Sequence, residues 1–147
     1  KSDLNIYKEE IQLLFDQVVS TTKFSGPQFK VETLLRLFDE KYASIYGYFK
    51  NNRLIAFASY LEDNENLVSY YVGFDKKLNT SLSLYARILL ETIKISIKQK
   101  NRKIIFGRTA NEFKSNFGAF PLKSNIYIKF KNYYVHVILK KYYKIMN

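Results

Sequence analysis

Lys103–Pro121, K-I-I-F-G-R-T-A-N-E-F-K-S-N-F-G-A-F-P, decides how the rest of the chain is read. Ile104, Ile105 and Phe106 run together into Gly107, the pattern of a short strand covered on both faces. The glycine breaks that strand, and the residues after it read as one amphipathic helix closed by Gly118. Arg108, Thr109, Glu112, Lys114 and Ser115 crowd in just past the strand's C-terminal end, where open α/β sheets bind ligands. The same residues also fit a plain strand–loop–helix corner with a solvated face. Spacing alone does not choose between the two.

Upstream lies the clearest helix, roughly 82–99, with Leu82, Tyr85, Leu89, Ile93 and Ile97 expected on its inward face and Ile88 beside them. Asn79, Thr80 and Ser81 are all acceptable caps for it. Lys98, Lys100, Arg102 and Lys103 gather at its carbonyl end, where cations suit the helix dipole. The D-K-K-L-N-T-S run from Asp75 to Ser81 reads as a loop without glycine. From Ala43 the apolar period is two: Ile45–Phe49, a turn at Asn51-Asn52, Leu54–Leu61, a polar turn, then Leu67–Phe74. That predicts an antiparallel meander of three strands.

Residues 4–20 read as a helix with Leu4, Tyr7, Ile11, Leu14, Phe15 and Val18 inward and Asp3 as its cap. After a polar break, a second helix starts beyond Pro27, turning Phe29, Val31, Leu34, Leu35 and Phe38 inward. Ser124–Lys131 alternates as a further strand. Tyr133–Met146 fits a helix, although Val135–Leu139 also suits a strand.

A chain of 147 residues is expected to form a single domain spanning 1–147. It has no cysteine, which excludes disulfides, thiolate metal sites and cysteine nucleophiles, and its only histidine is His136. No metal is therefore expected. No apolar run is long enough for a transmembrane helix, and K-S-D-L-N lacks the features of a signal peptide, so a cytoplasmic protein is expected. The missing initiator Met suggests a processed product or the C-terminal part of a longer chain.

The net charge of +11 is concentrated late. Residues 81–147 hold fourteen Lys and Arg against only Glu91 and Glu112. Such a gradient suits a polyanionic partner, such as a phosphate-bearing cofactor, nucleic acid or an anionic membrane face. It also arises from a composition rich in Lys, Asn, Ile and Tyr throughout.

The order helix, helix, three antiparallel strands, helix, strand, helix, strand resembles the GNAT acyltransferase fold, with no segment left for that fold's first strand. The resemblance sharpens at Gly107–Pro121, similar to the G-R-T-A-x-E-I-K-S-x-x-G-A-x-P signature of a bacterial GNAT-like family. That family is more distantly related to the FemAB-type peptidoglycan aminoacyltransferases. Gly73-Phe74-Asp75 and Tyr85–Leu89 fall where the family places a strand end and a helix start. The likeness covers roughly 28–131 and implies an α/β fold of the α+β type: a mixed, mostly antiparallel sheet flanked by helices.

The resemblance also implies a site. An acyl-CoA, acetyl-CoA or another, would lay its pantetheine arm in a gap beside the strand Leu67–Phe74, held by the backbone of Ser69, Tyr70, Tyr71 and Val72. As side chains, Tyr70 and Tyr71 are expected to point one inward and one outward. The pyrophosphate would sit at the N-terminus of the 82–99 helix, where Lys77, Asn79, Ser81 and Ser83 supply charge and donors. Here the chain departs from the family at large, whose loop is glycine-rich. Acyl transfer to an amine needs a base, oxyanion donors and an acid for the leaving thiolate. Many GNAT enzymes carry a Tyr four residues before the helix-ending Gly; this chain has Lys114 there. Glu112 is the candidate base, with an ion pair to Arg108 or Lys114 as its competing role, and Arg108 and Lys114 complete the catalytic set. Tyr85, Thr109 and Ser115 are candidates for the acceptor side, with helix capping by Thr109 or Asn111 the alternative.

The leading expectation is thus an acyltransferase acting on a small-molecule or peptide-like amine. The alternatives are a FemAB-like enzyme using aminoacyl-tRNA, which alone would bring in nucleic acid, and a non-catalytic GNAT-like binding domain.

Overall fold

The computed structural model describes residues 4–20, 30–63, 65–107, 110–123, 131, 133–135 and 137–139. Asp3, Phe29, Arg108, Thr109, His136 and residues 124–130 of the last expected strand lie outside them.

The period-two stretch forms the expected meander. Strands β1 (Ala43–Lys50), β2 (Arg53–Asp63) and β3 (Asn66–Phe74) pair antiparallel in sequence order. Asn51 and Asn52 both take positive φ, 49° and 60°, the two-residue turn whose twist matches a hairpin. Strand β4 (Lys103–Ile105) joins β3 in parallel, making the order β1-β2-β3-β4. The result is a mixed, mostly antiparallel sheet with helices on both faces. Among the described residues no strand precedes β1.

One face is covered by α1 (Lys8–Val19), entered through a 3₁₀ turn at Leu4–Tyr7, and by α2 (Val31–Asp39). Ile11, Leu14, Phe15, Val31, Leu34 and Leu35 bury themselves against Leu54 and Phe57. α1 crosses β3 at Gly73, where an added Cβ would stand 2.7 Å from Phe15 N and 2.8 Å from the Leu14 carbonyl carbon. Helix α1 also caps its neighbours. Gln12 Oε1 accepts the Val31 N–H at 3.0 Å, and Gln17 Oε1 accepts the Lys76 N–H at 3.1 Å. Both amides lie at helix starts, which need outside acceptors.

The opposite face belongs to α4 (Leu84–Gln99), which buries Leu84, Ile88, Leu89, Thr92 and Ser96. This corrects the expected stripe: Leu89 is inside, but Leu82, Tyr85 and Ile93 are half-buried and Ile97 is 72% exposed. The packed line runs through two small polar residues that an apolar count passes over. Thr92 Oγ1 donates to Ile88 O at 2.7 Å and lies 3.0 Å from the Tyr60 hydroxyl. With the threonine proton spent, Tyr60 must donate to Thr92. This bond links β2 and α4. Burial holds the Tyr48 and Tyr60 hydroxyls above the ordinary phenol value.

The expected loop at 75–81 is instead a helix, α3 (Lys76–Leu82). Buried Asp75 makes it possible by accepting the Leu78 N–H at 3.1 Å while pairing with Arg53 at 3.3 Å. α4 starts at Leu84 rather than 82 because Ser83, with φ 50°, turns the chain sharply between the two helices. β4 is not covered on both faces by described residues: Ile104 is half-buried and Ile105 is 46% exposed, since the strand pairs over three residues only. In the tail, 133–135 and 137–139 are helical, the first of the two forms its sequence allows. Among the described residues no helix is long and apolar enough to cross a membrane.

Gly73→Ala should lower unfolding stability by about 2 kcal/mol, the usual scale of overpacking, because the neighbour that must yield is helix backbone. Thr92→Val should cost about 1–2 kcal/mol by stranding the Tyr60 hydroxyl. Denaturant unfolding measures both. In alkali, protonated Tyr48 and Tyr60 stabilise the fold fully below the free-phenol value. That contribution is lost as pH rises through their elevated folded values, so both should ionise only as the protein unfolds.

Candidate active site

Among the described residues, β3 is bonded on both edges only at its start. Asn66, Leu67 and Val68 pair with Lys103, Ile104 and Ile105, and from Ser69 onward no β4 residue is paired with it. Gly107, at φ +75°, turns the chain away; a Cβ there would stand 4.0 Å from Ser69 O. Gly107 is thus still beside Ser69 just past the last ladder pair, and beyond that point β4 no longer pairs with β3. The other edge stays paired to β2, through a bulge. Ala58 faces Val72 and Tyr60 faces Ser69, which leaves Tyr70 and Tyr71 opposite Ser59 alone.

The Ser59 hydroxyl fills that bulge, donating to Tyr71 O and accepting the Tyr71 N–H, both at 2.9 Å. The main chain of Tyr71 is thus turned toward β2. The bulge also brings the Tyr70 and Tyr71 rings to 4.2 Å, on one side of the sheet, which corrects the expected in–out alternation. Tyr71 meets Phe15 edge-on at 5.2 Å, and Tyr70 stays exposed.

Lys77, Asn79, Ser81 and Ser83 form a second group at the α3–α4 corner. Lys77, Ser81 and Ser83 are exposed. Asn79 Oδ1 accepts the Tyr85 N–H at 2.9 Å, capping α4 from inside α3, and Ser81 Oγ donates to Leu78 O at 3.2 Å. Tyr85 links this corner to the end of β3 and to the short helix after β4. Its ring lies 5.8 Å from Phe74 and 5.3 Å from Phe113, and Phe113 lies 5.6 Å from Phe117. This aromatic row holds α5 (Asn111–Ser115) against the start of α4. Burial raises the Tyr85 hydroxyl above its usual value.

α5 is entered through Ala110 at φ 54°, so Asn111 is its first residue and not its cap. Glu112 is exposed, and its carboxylate has no partner among the described residues. Ser115 is exposed and donates to Glu112 O at 2.6 Å. Lys114 alone points inward. Its Nζ donates to Phe106 O at 2.5 Å and Gly107 O at 3.4 Å, and burial pushes its pKa down. Arg108 and Thr109 lie outside the described residues. Among those described, no three His, Asp or Glu side chains cluster as metal ligands do.

Sequence reasoning missed Ser59, Phe74 and Phe113. A serine in an apolar strand carries no local signal of a bulge it will fill, whereas Phe113 was visible as part of an amphipathic helix. Elsewhere, a recess of about 240 Å³ lies on the α1 side, lined by residues including Leu4, Tyr7, Ile11, Phe49 and Phe57. None of the candidate site residues lines it.

No family model matches this chain, and no curated protein does. Solved structures do. A possible acetyltransferase from Clostridium difficile 630 superposes with a TM-score of 0.65 at 14% identity, over 87% of this chain and 93% of its own. A predicted acetyltransferase from Clostridium acetobutylicum, solved with acetyl-CoA, has a TM-score of 0.64 at 10% identity over 87% and 92%. An aminoglycoside acetyltransferase from an uncultured soil metagenomic sample, in complex with sisomicin, has a TM-score of 0.60 at 15% identity over 88% and 91%. At these identities the likeness establishes the fold, which is that of GNAT-type acetyltransferases.

Ser59→Ala should cost about 2 kcal/mol, since it strands the Tyr71 N–H and C=O inside the bulge. A lowered denaturant midpoint at unchanged slope is the expected result.

Proposed function

We propose that this chain is an N-acyltransferase moving an acyl group from an acyl-CoA, acetyl-CoA or a relative, to the amine of a small-molecule or peptide-like acceptor. The observation that carries the reading is the edge of β3 from Ser69 onward, free of β4 and set beside a filled bulge. The amides of a pantetheine arm need main-chain partners, and an unpaired strand edge supplies them. With the Tyr71 main chain committed to Ser59, that task falls to Ser69, Tyr70 and Val72.

The phosphates go to the α3–α4 corner, where the dipole of the 16-residue α4 favours an anion. Lys77, the Asn79 amide nitrogen, Ser81 and Ser83 add charge and donors. Glu112 takes the proton from the acceptor ammonium, and its exposure leaves it open to an incoming amine. Tyr85, kept protonated by burial, lines the acceptor side with Ser115 and, beyond the described residues, Thr109. Arg108, beyond the described residues, is the remaining charged member of the proposed catalytic set.

A second reading is supported by α3 standing where the fold's glycine-rich loop is expected: a domain that binds its ligand without turnover. Exposed Lys98, Lys100 and Lys103 favour an aminoacyl-tRNA donor instead.

Thermal shift separates the three. Acetyl-CoA at 100 times its dissociation constant should stabilise the protein by about 2.7 kcal/mol, while tRNA should not. Glu112→Gln should retain that stabilisation and lose turnover. Full activity in the variant removes Glu112 from the mechanism, and stabilisation by tRNA alone overturns the acyl-CoA reading.

A further inference from the structure

Two charged side chains are buried among the described residues, Asp75 and Lys114. Asp75 has Arg53 beside it. Lys114, only 4% exposed, has no acid within ion-pair distance among those residues. Its ammonium is held instead by the carbonyls of Phe106 and Gly107. Those carbonyls come directly after the last ladder pair, Val68–Ile105, where the strand has lost its neighbour. Phe106 is half-buried and Gly107 exposed, and a charged donor makes a stronger bond to such carbonyls than a neutral one.

We propose that Lys114 is a positioning residue: by fastening the Phe106 and Gly107 carbonyls to α5, it fixes the wall of the gap opposite Ser69–Val72. The inference rests on the acyl-CoA reading of that gap. It also separates Lys114 from the role of proton donor to a leaving thiolate, because its ammonium is directed at backbone carbonyls. The chain leaves β4 through Gly107 at φ +75°, a conformation that glycine permits but does not enforce. The lysine holds both sides of that turn, one carbonyl before it and one within it. α5 is in turn seated on α4 through Phe113 and Tyr85, so the wall is referenced to the helix start where the phosphates are proposed to bind.

The test compares two ligands on the full chain. Acetyl-CoA needs the gap, whereas adenosine 3′,5′-bisphosphate reaches only the α3–α4 corner. Calorimetry on Lys114→Met should show acetyl-CoA binding weakened about tenfold and the bisphosphate unchanged, with Lys114→Arg recovering part of the loss. Equal affinity for acetyl-CoA in Lys114→Met overturns the inference, and so does a parallel loss for both ligands, which marks a merely structural role. If Lys114→Met does not fold, Lys114→Gln is measured against the same criteria. Wild-type protein that binds neither ligand overturns the acyl-CoA reading, and this inference with it. Wild-type binding with no selective loss in the variants overturns this inference alone.

Discussion

The missing side chain at Gly73 is the constraint on which the layout of the site depends. Because nothing projects from it, the backbone of α1 at Leu14 and Phe15 rests directly on β3. That contact brings Gln17 to the Lys76 N–H and so to the start of α3. α3 ends at Ser83, and Asn79 within it caps α4. The corner proposed for phosphate is thus placed by a helix on the far side of the sheet, through one glycine and two side-chain amides.

β3 then faces two different demands on its two edges. Toward β2 it is fully bonded, and its one extra residue is absorbed by a serine hydroxyl that replaces a main-chain partner. Toward β4 it is bonded for three residues, and beyond them no described residue pairs with that edge. An open edge inside a fold invites pairing with another strand. Here the invitation is limited by Gly107, which sends the chain away from β3, and by α5, which is seated on an aromatic row beside it.

What the sequence made legible was whatever depends on period and local chemistry. Alternation placed the meander, and Asn51-Asn52 placed its turn. The apolar steps of Ile11, Leu14 and Phe15 gave the buried face of α1 correctly. What escaped were contacts set by distant partners. Thr92 and Ser96 are polar on paper, yet both are buried on the inward line of α4, and Thr92 meets there a hydrogen bond from Tyr60, 32 residues away. The 75–81 run has no helical apolar period, yet it is helical because Asp75 caps it and Gln17 reaches it. Within the candidate site, the residue types of Glu112 and Lys114 were visible, but their opposite exposures were not. On a helix of five residues, i and i+2 necessarily diverge, but only the position of β4 decides which of them is buried.

That opposition bears on chemistry. A buried cation is tolerated when its donors are used, and an ammonium has three. Lys114 finds two carbonyls at the end of a strand that has run out of neighbours, so two deficits cancel in part: unpaired acceptors meet an unpaired charge. Burial still pushes its pKa down. A well-packed apolar residue would avoid the desolvation but would leave the carbonyls empty, and a short amide would not span from α5 to β4. Length, charge and several donors on one stem are what this junction requires. Lysine meets all three, and its ammonium is spent on the backbone, whereas the Glu112 carboxylate two residues before it stays exposed and without a partner among the described residues.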